Sequence, residues 1–322
     1  MTAAGTGAGQ GGASRGIGLA LLAFAMFSIV DLVLKVLAAH HPLFQLIFIH
    51  TAFSLVPILL VAARTGGGLR ANLSTRKPGW HALRAACGTI SGLCVFYAFK
   101  VMPMADVYAL VFTAPLFITA LSVPMLGEKV GWRRWSAVAV GFAGILLVLR
   151  PGAGLVSPAA LAALASAFFY SLGMLIARRM RGTESSVSFG FYSCCAGLTV
   201  NALIIGDGWQ PMPWEHVAML AFSGTIGATA LICLLTAFRR TDAAVIAPLQ
   251  YSQMLWGVLY GWLVFGTLPG GMLALGAGIV IASGLYILHR ETRVGAAAAG
   301  TPPSVPTVAG QAPVPLASEK GR

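Results

Sequence analysis

Apolar residues follow one another in long runs along most of the chain, with few polar positions between them. The first run extends from Ile17 to Leu37 and contains only two charged residues, Asp31 and Lys35. A helix that crosses a bilayer needs about 20 mainly apolar residues, so each run of this length predicts a transmembrane helix. The pattern predicts ten such helices, over residues 17–38, 43–63, 81–99, 105–126, 132–149, 158–178, 186–205, 216–237, 243–265 and 271–289.

The composition supports this interpretation and separates the ends of the chain from its middle. Hydrophobic residues make up 57% of the chain and charged residues 9%, whereas soluble domains average about 25% charged residues. Residues 1–16 and 291–322 are instead rich in Gly, Ala and Pro, without apolar periodicity, so we expect two disordered tails. The sequence thus predicts an all-α integral membrane protein between them.

The basic residues predict the orientation of this bundle. If the N-terminus is cytoplasmic, all 21 Lys and Arg residues except Lys35, Lys100 and Arg150 lie on the inner side. This excess on the inner side is the usual one for membrane proteins, so we expect both termini in the cytoplasm. The net charge of +12 then faces anionic lipid head groups, and nucleic acid is not an expected partner.

Short motifs recur in the two halves of the chain. GTISG at 88–92 is repeated as GTIGA at 224–228, and PMLGEKVGW at 124–132 corresponds to LVFGTLPGG at 263–271. Five helices are therefore duplicated, in residues 17–150 and 151–290, and an odd number of helices makes the second copy insert upside down. Inverted repeats with a binding site near the middle of the membrane are typical of secondary transporters.

The blocks MPMADVYALVFTAPLF, from 102, and AAVIAPLQYSQMLWGVLYGWLVF, from 243, resemble EamA-type members of the drug/metabolite transporter (DMT) superfamily. The resemblance covers residues 17–290. It implies a carrier of the bacterial inner membrane with ten transmembrane helices as two inverted five-helix EamA repeats, a central cavity and alternating access. We expect no cofactor. The balance of charges and aromatic residues favours an amino acid or related zwitterion as substrate, with a flavin-like neutral heterocycle as the alternative.

Three ionisable residues of the first two helices are the first candidates for a substrate or proton pathway. The first hairpin turns near His40, so Asp31 and His50 are equally far from the turn and are expected at the same depth. Lys35 lies at i+4 from Asp31, within reach of an ion pair on the same helix face. Charged groups inside a membrane are costly and often functional, although a purely structural link between the two helices is an equally open interpretation.

Other candidates come from aromatic, amide and charged residues of the later helices. Amides need partners in hydrocarbon, and aromatic rings offer flat surfaces for stacking. The second half contributes Gln250, Tyr251, Gln253 and Trp256, and the weaker candidates are Tyr97, Tyr108, Phe112, Tyr170 and Asn201. We expect structural roles, at helix ends or turns, for Asp106, Glu128, Lys129, Arg133 and Asp242.

Two further classes of protein are weighed against a transporter. An intramembrane enzyme needs a nucleophile with a base, paired carboxylates or a metal, and a receptor or scaffold needs no inverted duplication. The five cysteines lack CxxC spacing, so we expect neither a metal nor disulfides, and without a Walker A motif we do not expect ATP to drive transport. Proton coupling through Asp31 or His50 and a homodimer stay open, and an enzyme is not expected.

Overall fold

The computed structural model describes residues 7–66, 68–127, 130–149, 157–180, 186–240 and 246–299, and the whole of this part is helical or loop, without a β-strand. The first half contains α1 (Gly7–Leu37), α2 (Leu43–Arg64), α3 (Gly68–Leu73), α4 (Pro78–Val101), α5 (Met104–Val111), α6 (Ala114–Leu126) and α7 (Trp132–Leu149). The second half contains α8 (Pro158–Arg179), α9 (Ser186–Ile205), α10 (Trp214–Arg240), the 3₁₀ helix η1 (Ala247–Tyr251), α11 (Ser252–Phe265) and α12 (Gly271–Ala299).

Eight helical stretches in the described residues are long and apolar enough to cross a membrane. The predicted spans 243–265 and 271–289 differ from these eight: in the first, η1 precedes the 14-residue α11, and in the second the apolar part of α12 is the shorter stretch Gly271–Ile287. The eight are Ser14–Leu37, Leu43–Arg64, Pro78–Val101, Met104–Leu126, Trp132–Leu149, Pro158–Arg179, Val187–Ile205 and Trp214–Leu234.

The predicted helix 105–126 is interrupted in the structure. Its α-helical pattern stops after Val111 and resumes at Ala114, so that α5 and α6 are separated by Phe112 and Thr113. Pro115 follows this break directly, and proline has no amide hydrogen with which to continue the α-helical hydrogen bonds. Pro57, by contrast, lies inside an uninterrupted α2, so a proline alone does not determine where a helix breaks.

Both terminal helices extend further than the sequence pattern indicates. Helix α1 begins at Gly7, within the expected tail 1–16, and α12 continues to Ala299, within the expected tail 291–322. The second extension includes the run Ala296–Ala299, and alanine has the highest helix propensity of all residues. Glu128, Lys129 and Asp242, for which structural roles are expected, lie outside the described residues.

Helices of the first half pack mainly against helices of the second half. Helix α1 lies along α10, α4 along α8 and α7 along α12, while α2 contacts both α9 and α10. The largest hydrophobic core is assembled from both halves, with Phe99, Phe112 and Leu116 meeting Val280 and Ile287. Neither half therefore has an independent core, and the two halves hold each other in place.

The two halves approach each other closely where α7 meets α12. A β-carbon added to Gly144 would lie 2.9 Å from Ile279 Cγ2 and 3.0 Å from the carbonyl oxygen of Gly276. One added to Gly276 would lie 2.7 Å from Val148 Cγ2 and 2.9 Å from the carbonyl oxygen of Gly144. Real β-carbons do not approach other atoms so closely, so these two glycines set the distance between the helix backbones.

Two sets of loops define the ends of the bundle. The end where α2, α6, α8 and α10 finish is called the basic end, because it carries Arg64, Arg133, Arg178 and Arg179. At the opposite end, the turn between α1 and α2 is joined to the loop before α10. There the side-chain amide of Gln45 donates to the Gln210 carbonyl at 2.8 Å and accepts from the Gln210 amide at 3.1 Å.

A histidine pair joins the same two segments at the opposite end. His41 Nε2 and His216 Nδ1 are 2.7 Å apart, and the His40 ring stacks on His216 with a centroid distance of 6.0 Å. Burial lowers the pKa of His41 below its usual 6.5, and the neighbouring His216 and His40 lower it further. The folded structure therefore favours the neutral form of His41.

The close approach of α7 and α12 predicts a contrast between two neighbouring glycines of α12. Gly276→Ala should destabilise the protein by about 1–3 kcal/mol, as overpacking does. Gly278→Ala should be neutral or stabilising by up to about 1 kcal/mol, because alanine is the better helix former and nothing lies within 4 Å of its added β-carbon. Thermal unfolding in detergent compares the two variants, and equal midpoints would show that the close approach is not tight.

The histidine pair predicts a local loss of stability in acid. Because the pKa of His41 is lowered on folding, its contribution is complete above pH 6.5 and is lost as the pH falls below that value. Hydrogen exchange of residues 38–46 and 207–217 should therefore become faster between about pH 7 and about pH 5, after correction for intrinsic rates. His41→Gln should remove most of this dependence. If the dependence persists unchanged, titration of His41 is not its cause.

Candidate functional site

Asp31 of α1 meets α5 in the interior of the bundle. Tyr108 Oη donates a hydrogen bond of 2.6 Å to Asp31 Oδ2 and lies 3.4 Å from Ser28 Oγ. Asp31 is half-buried, whereas Tyr108 is only 3% exposed. A hydroxyl that donates to a carboxylate forms a strong, charge-assisted bond. Tyr108 thus fixes the orientation of Asp31, and part of the Asp31 side chain stays accessible.

Gly257 of α11 makes room for this arrangement. A β-carbon at this position would collide with the Tyr108 ring atoms Cδ2 and Cε2. Tyr260, one turn further along α11, lies near enough to Tyr108 to interact with it electrostatically. The Tyr108 ring is therefore held between α1 of the first half and α11 of the second half.

Lys35 does not form the expected ion pair with Asp31. Its ammonium group donates to the carbonyl oxygens of Phe99 at 2.5 Å and Met102 at 2.7 Å, at the C-terminal end of α4. The last carbonyls of a helix lack partners within the helix and carry partial negative charge, so they attract a cation. Lys35 also lies 5.1 Å from the centre of the Phe265 ring. It therefore links α1 to α4 and α11.

His50 is likewise separate from Asp31. Its Nδ1 atom lies 3.0 Å from Ser223 Oγ on α10, and Ser54, one turn further along α2, donates to the carbonyl of Gly224 at 3.0 Å. A β-carbon at Gly224 would collide with the carbonyl oxygen of His50. The expected single cluster of Asp31, Lys35 and His50 is thus divided into three contacts, because each side chain faces a different neighbouring helix.

Four aromatic rings connect this region to the second half. Phe99 and Tyr108 have ring centroids 5.4 Å apart, Tyr108 and Phe112 5.8 Å, and Phe112 and Tyr251 5.1 Å. Phe99 and Phe112 are each only 2% exposed. Tyr108 and Phe112, which were candidates for substrate contact, therefore lie in the packed core and position their neighbours in this conformation.

The half-buried aromatic residues of α11 have more accessible surface. Trp256 and Tyr260 are stacked, with ring centroids 6.0 Å apart and an angle of 25° between the ring planes. Gln253 lies on the same helix and Gln250 in η1, and both are half-buried. Tyr251 is separated from Trp256, since its ring packs against Phe112 and its hydroxyl is buried without a hydrogen-bond partner among the described residues.

The remaining candidates lie apart from Asp31. Asp106 is in the first turn of α5 and interacts electrostatically with Lys35. Arg133 lies over the Trp132 ring at 5.6 Å, as a surface residue does. Asn201 is fully buried and donates to the Gly197 carbonyl at 2.7 Å. Tyr97 is 39% exposed and Tyr170 is 44% exposed.

Several side chains at these sites were missed in the sequence. Ser28 lies one turn before Asp31, and Tyr260 follows Trp256 at i+4, so the helical spacing could have identified both as neighbours of known candidates. Arg84 was counted with the charged inner segments, although it lies within the apolar span Pro78–Val101. Ser223 has no signal in the sequence, because only the packing of α2 on α10 brings it to His50.

The fold and these contacts define a multi-pass helical membrane protein with a half-buried aspartate on α1 and a stacked aromatic pair on α11. The model of the EamA-like transporter family matches residues 14–150 and 157–288. The chain belongs to the EamA-like transporter family, whose curated relatives are named as transporters and not as enzymes. It is a transporter of small metabolites.

Three of the similar curated proteins name either riboflavin or S-adenosylmethionine as their substrate. A riboflavin transporter of Vibrio cholerae is 32% identical over 70% of this chain and 76% of its own length. An S-adenosylmethionine uptake transporter of Rickettsia bellii is 28% identical over 87% of this chain and 95% of its own length. A riboflavin transporter of Rhizobium johnstonii is 30% identical over 69% of this chain and 74% of its own length.

A solved structure has the same fold. It is titled only as the crystal structure of a protein, and it is 20% identical to this chain. The two agree with a TM-score of 0.58, over 88% of this chain and 98% of the solved one. This similarity concerns the fold and not the substrate.

The hydrogen bond between Tyr108 and Asp31 predicts a contrast between two tyrosines. Tyr108→Phe removes the donor to a half-buried carboxylate, so the free energy of unfolding should fall by about 1–3 kcal/mol. Tyr251→Phe removes a buried hydroxyl without a partner in the described structure and should be neutral or stabilising. Thermal unfolding of both variants in the same detergent makes the comparison. An equal loss for both would mean that the Tyr108 hydroxyl contributes nothing specific.

Proposed function

We propose that this transporter carries a flat heterocyclic metabolite, with a neutral flavin of the riboflavin type as the first candidate. The observation that carries the proposal is the stacked pair Trp256–Tyr260 on α11. The same helix carries Gly257, which leaves space for the Tyr108 ring and therefore for the hydrogen bond from Tyr108 to Asp31. The riboflavin transporters among the relatives support the flavin. The amino-acid substrate, favoured first by the sequence, receives no support from the named relatives.

The chemistry of a flavin fits these groups. Its fused three-ring system can stack on the ring of Trp256 or Tyr260, because aromatic rings favour offset-stacked or edge-on contacts with one another. Its ribityl hydroxyls and ring N–H are donors, and the Asp31 carboxylate is an acceptor held in place by Tyr108. A neutral substrate also avoids the cost of carrying a net charge through the membrane.

The packing of the helices supports an inverted repeat of five helices in each half. In such a repeat α1 corresponds to α8, and α4 corresponds to α10. The pair α1–α10 is then equivalent to the pair α8–α4, and both pairs pack extensively. The fourth helix of each half also ends at a glycine in the left-handed conformation, Gly127 with φ 69° and Gly266 with φ 64°. We therefore keep ten membrane helices in two inverted repeats as part of the proposal.

The contacts between helices differ at the two ends of the bundle, which supports alternating access. At the opposite end, Lys35 and Asp31 tie α1 to α4 and α5. The equivalent tie at the basic end would join α8 to α10, and in the described residues these two helices do not pack extensively. In this conformation, the substrate would enter the space between the halves from the basic end.

The proposal includes the location of the protein and leaves its energetics to experiment. A bacterial inner membrane with the basic end in the cytoplasm agrees with the distribution of positive charge. Protons are a candidate coupling ion through Asp31 or His50, and a homodimer is a candidate assembly. Both stay predictions, as does the expectation that no cofactor is needed.

An S-adenosylmethionine-like cation is the second candidate. Asp31 has no cationic partner within the described structure, because the Lys35 ammonium is bound to carbonyls of α4. A sulfonium or ammonium group would supply the missing positive charge, and Trp256 offers a ring face for it. The adenine ring could then stack as the flavin does. The Rickettsia relatives named for this substrate favour the same alternative.

The test is flux of labelled riboflavin and labelled S-adenosylmethionine into proteoliposomes that contain the full chain. Asp31→Asn keeps an acceptor oxygen and removes the charge, so riboflavin flux should change by less than about threefold. Flux of the cation should fall by about tenfold or more, since 1.4 kcal/mol of lost interaction corresponds to a factor of ten. The matched control is Asp207→Asn, an exposed acidic residue at the opposite end.

Each outcome identifies one substrate class or removes both. Saturable riboflavin flux that Trp256→Ala weakens, by about tenfold in KM, supports the flavin. Flux of the cation alone, lost in Asp31→Asn but not in Asp207→Asn, supports the second candidate. A wild-type protein that moves neither solute above empty liposomes contradicts both proposals.

A further inference from the structure

A second polar site lies at the basic end, away from Asp31. Arg84 is in the second turn of α4, inside the membrane span Pro78–Val101, and is half-buried. Its guanidinium group crosses to α9, where Nη1 donates to the Phe189 carbonyl at 3.1 Å and to Ser193 Oγ at 2.8 Å. It also lies 4.8 Å from the centre of the Phe189 ring. Arg84 is therefore held at a fixed place between two helices.

The charge of Arg84 is not balanced by a carboxylate in the described part of the chain. Its electrostatic partners are Tyr170 and Cys87, both of which are ordinarily neutral. Its Nε atom is buried without a hydrogen-bond partner in the same part of the structure. Arginine keeps its proton in proteins, so the guanidinium is a positive charge with an unused donor.

An unbalanced guanidinium within a membrane span is costly. Removing one partner of a buried ion pair is strongly destabilising, because the remaining charge is uncompensated. Carbonyl and hydroxyl acceptors such as those of Phe189 and Ser193 satisfy hydrogen bonds but supply no negative charge. A bound anion would supply it, and the planar fork of arginine matches the two oxygens of a carboxylate or phosphate.

The surroundings of Arg84 also provide access and further donors. Tyr170 of α8 is 44% exposed and lies near enough to Arg84 to interact with it electrostatically. In the described residues α8 does not pack extensively against α10, so its Tyr170 side chain is not covered by that helix. The hydroxyls of Tyr170 and Ser193 can donate to an oxygen that reaches Arg84.

We propose that Arg84, with Tyr170 and Ser193, forms a binding site for an oxyanion, a carboxylate or phosphate group that enters from the basic end. The site is distinct from Asp31, and the proposal does not depend on which metabolite the protein carries. The oxyanion belongs either to a soluble solute or to an anionic lipid head group, since basic pockets between membrane helices bind such head groups.

The test measures thermal unfolding of the purified full chain in an uncharged maltoside detergent. Inorganic phosphate is titrated against chloride at constant ionic strength, and in a parallel arm phosphatidylglycerol is added. Ligand that binds only the folded state raises the unfolding midpoint in proportion to RT ln(1 + [L]/Kd). We expect wild-type protein to be stabilised by at least one of these two probes.

Variants assign the effect to this site. Arg84→Gln should abolish the stabilisation, and Arg84→Lys should weaken it by about tenfold in Kd, because the ammonium cannot bind two oxygens side by side. The matched control Arg64→Gln removes an exposed arginine from the same end and should leave the stabilisation unchanged. Tyr170→Phe keeps the guanidinium and should weaken binding by about threefold, which keeps the proposal testable if Arg84→Gln does not fold.

The outcomes separate the sources of the anion and can overturn the proposal. Stabilisation by phosphate that requires Arg84 identifies a soluble oxyanion, and stabilisation by phosphatidylglycerol alone identifies a lipid head group. An equal shift in wild type and in the Arg84 and Tyr170 variants, or no shift with either probe, contradicts the site. Arg84 would then be only a structural link between α4 and α9. The experiment uses no transport, so its failure is distinct from failure of the flavin proposal.

Discussion

A charged side chain inside a membrane needs a partner from the protein, because hydrocarbon supplies none, and this need determines how the helices of the bundle are joined. Asp31 accepts from Tyr108 of α5, and Lys35 donates to the end of α4. Both bonds extend from one helix, α1, to a different part of the first half. The packing of α11 then follows, because Gly257 must lie against the Tyr108 ring.

The same need separates two chemically different sites. Asp31 has a hydroxyl partner and no cation, and Arg84 has neutral acceptors and no carboxylate in the described residues. The first site lies next to stacked aromatic rings between the halves, and the second lies beside Tyr170 at the basic end. The two unbalanced charges have opposite signs and lie on different helices, Asp31 on α1 and Arg84 on α4.

Much of the fold could be predicted from the sequence because the bilayer acts on each helix separately. Length and hydrophobicity alone identify the eight spans, but the break between α5 and α6 lies inside the predicted helix 105–126 and was not predicted. The site was predicted less well. Lys35 is the nearest cation to Asp31 along α1, yet the partner of Asp31 is Tyr108, which is 77 residues away. Helical spacing shows which residues share a face, but the neighbour of that face depends on packing.

The sequence by itself determined the class of protein, eight of the ten predicted membrane spans, the excess of positive charge at one end and the presence of charges where hydrocarbon disfavours them. Only the tertiary structure decided which partner each charge has. Small residues at Gly144, Gly276 and Gly257 fix how closely the helices approach, and a shift of one turn would give Asp31 and His50 other neighbours. Those distances arise from contacts between residues far apart in the chain, which no local pattern records.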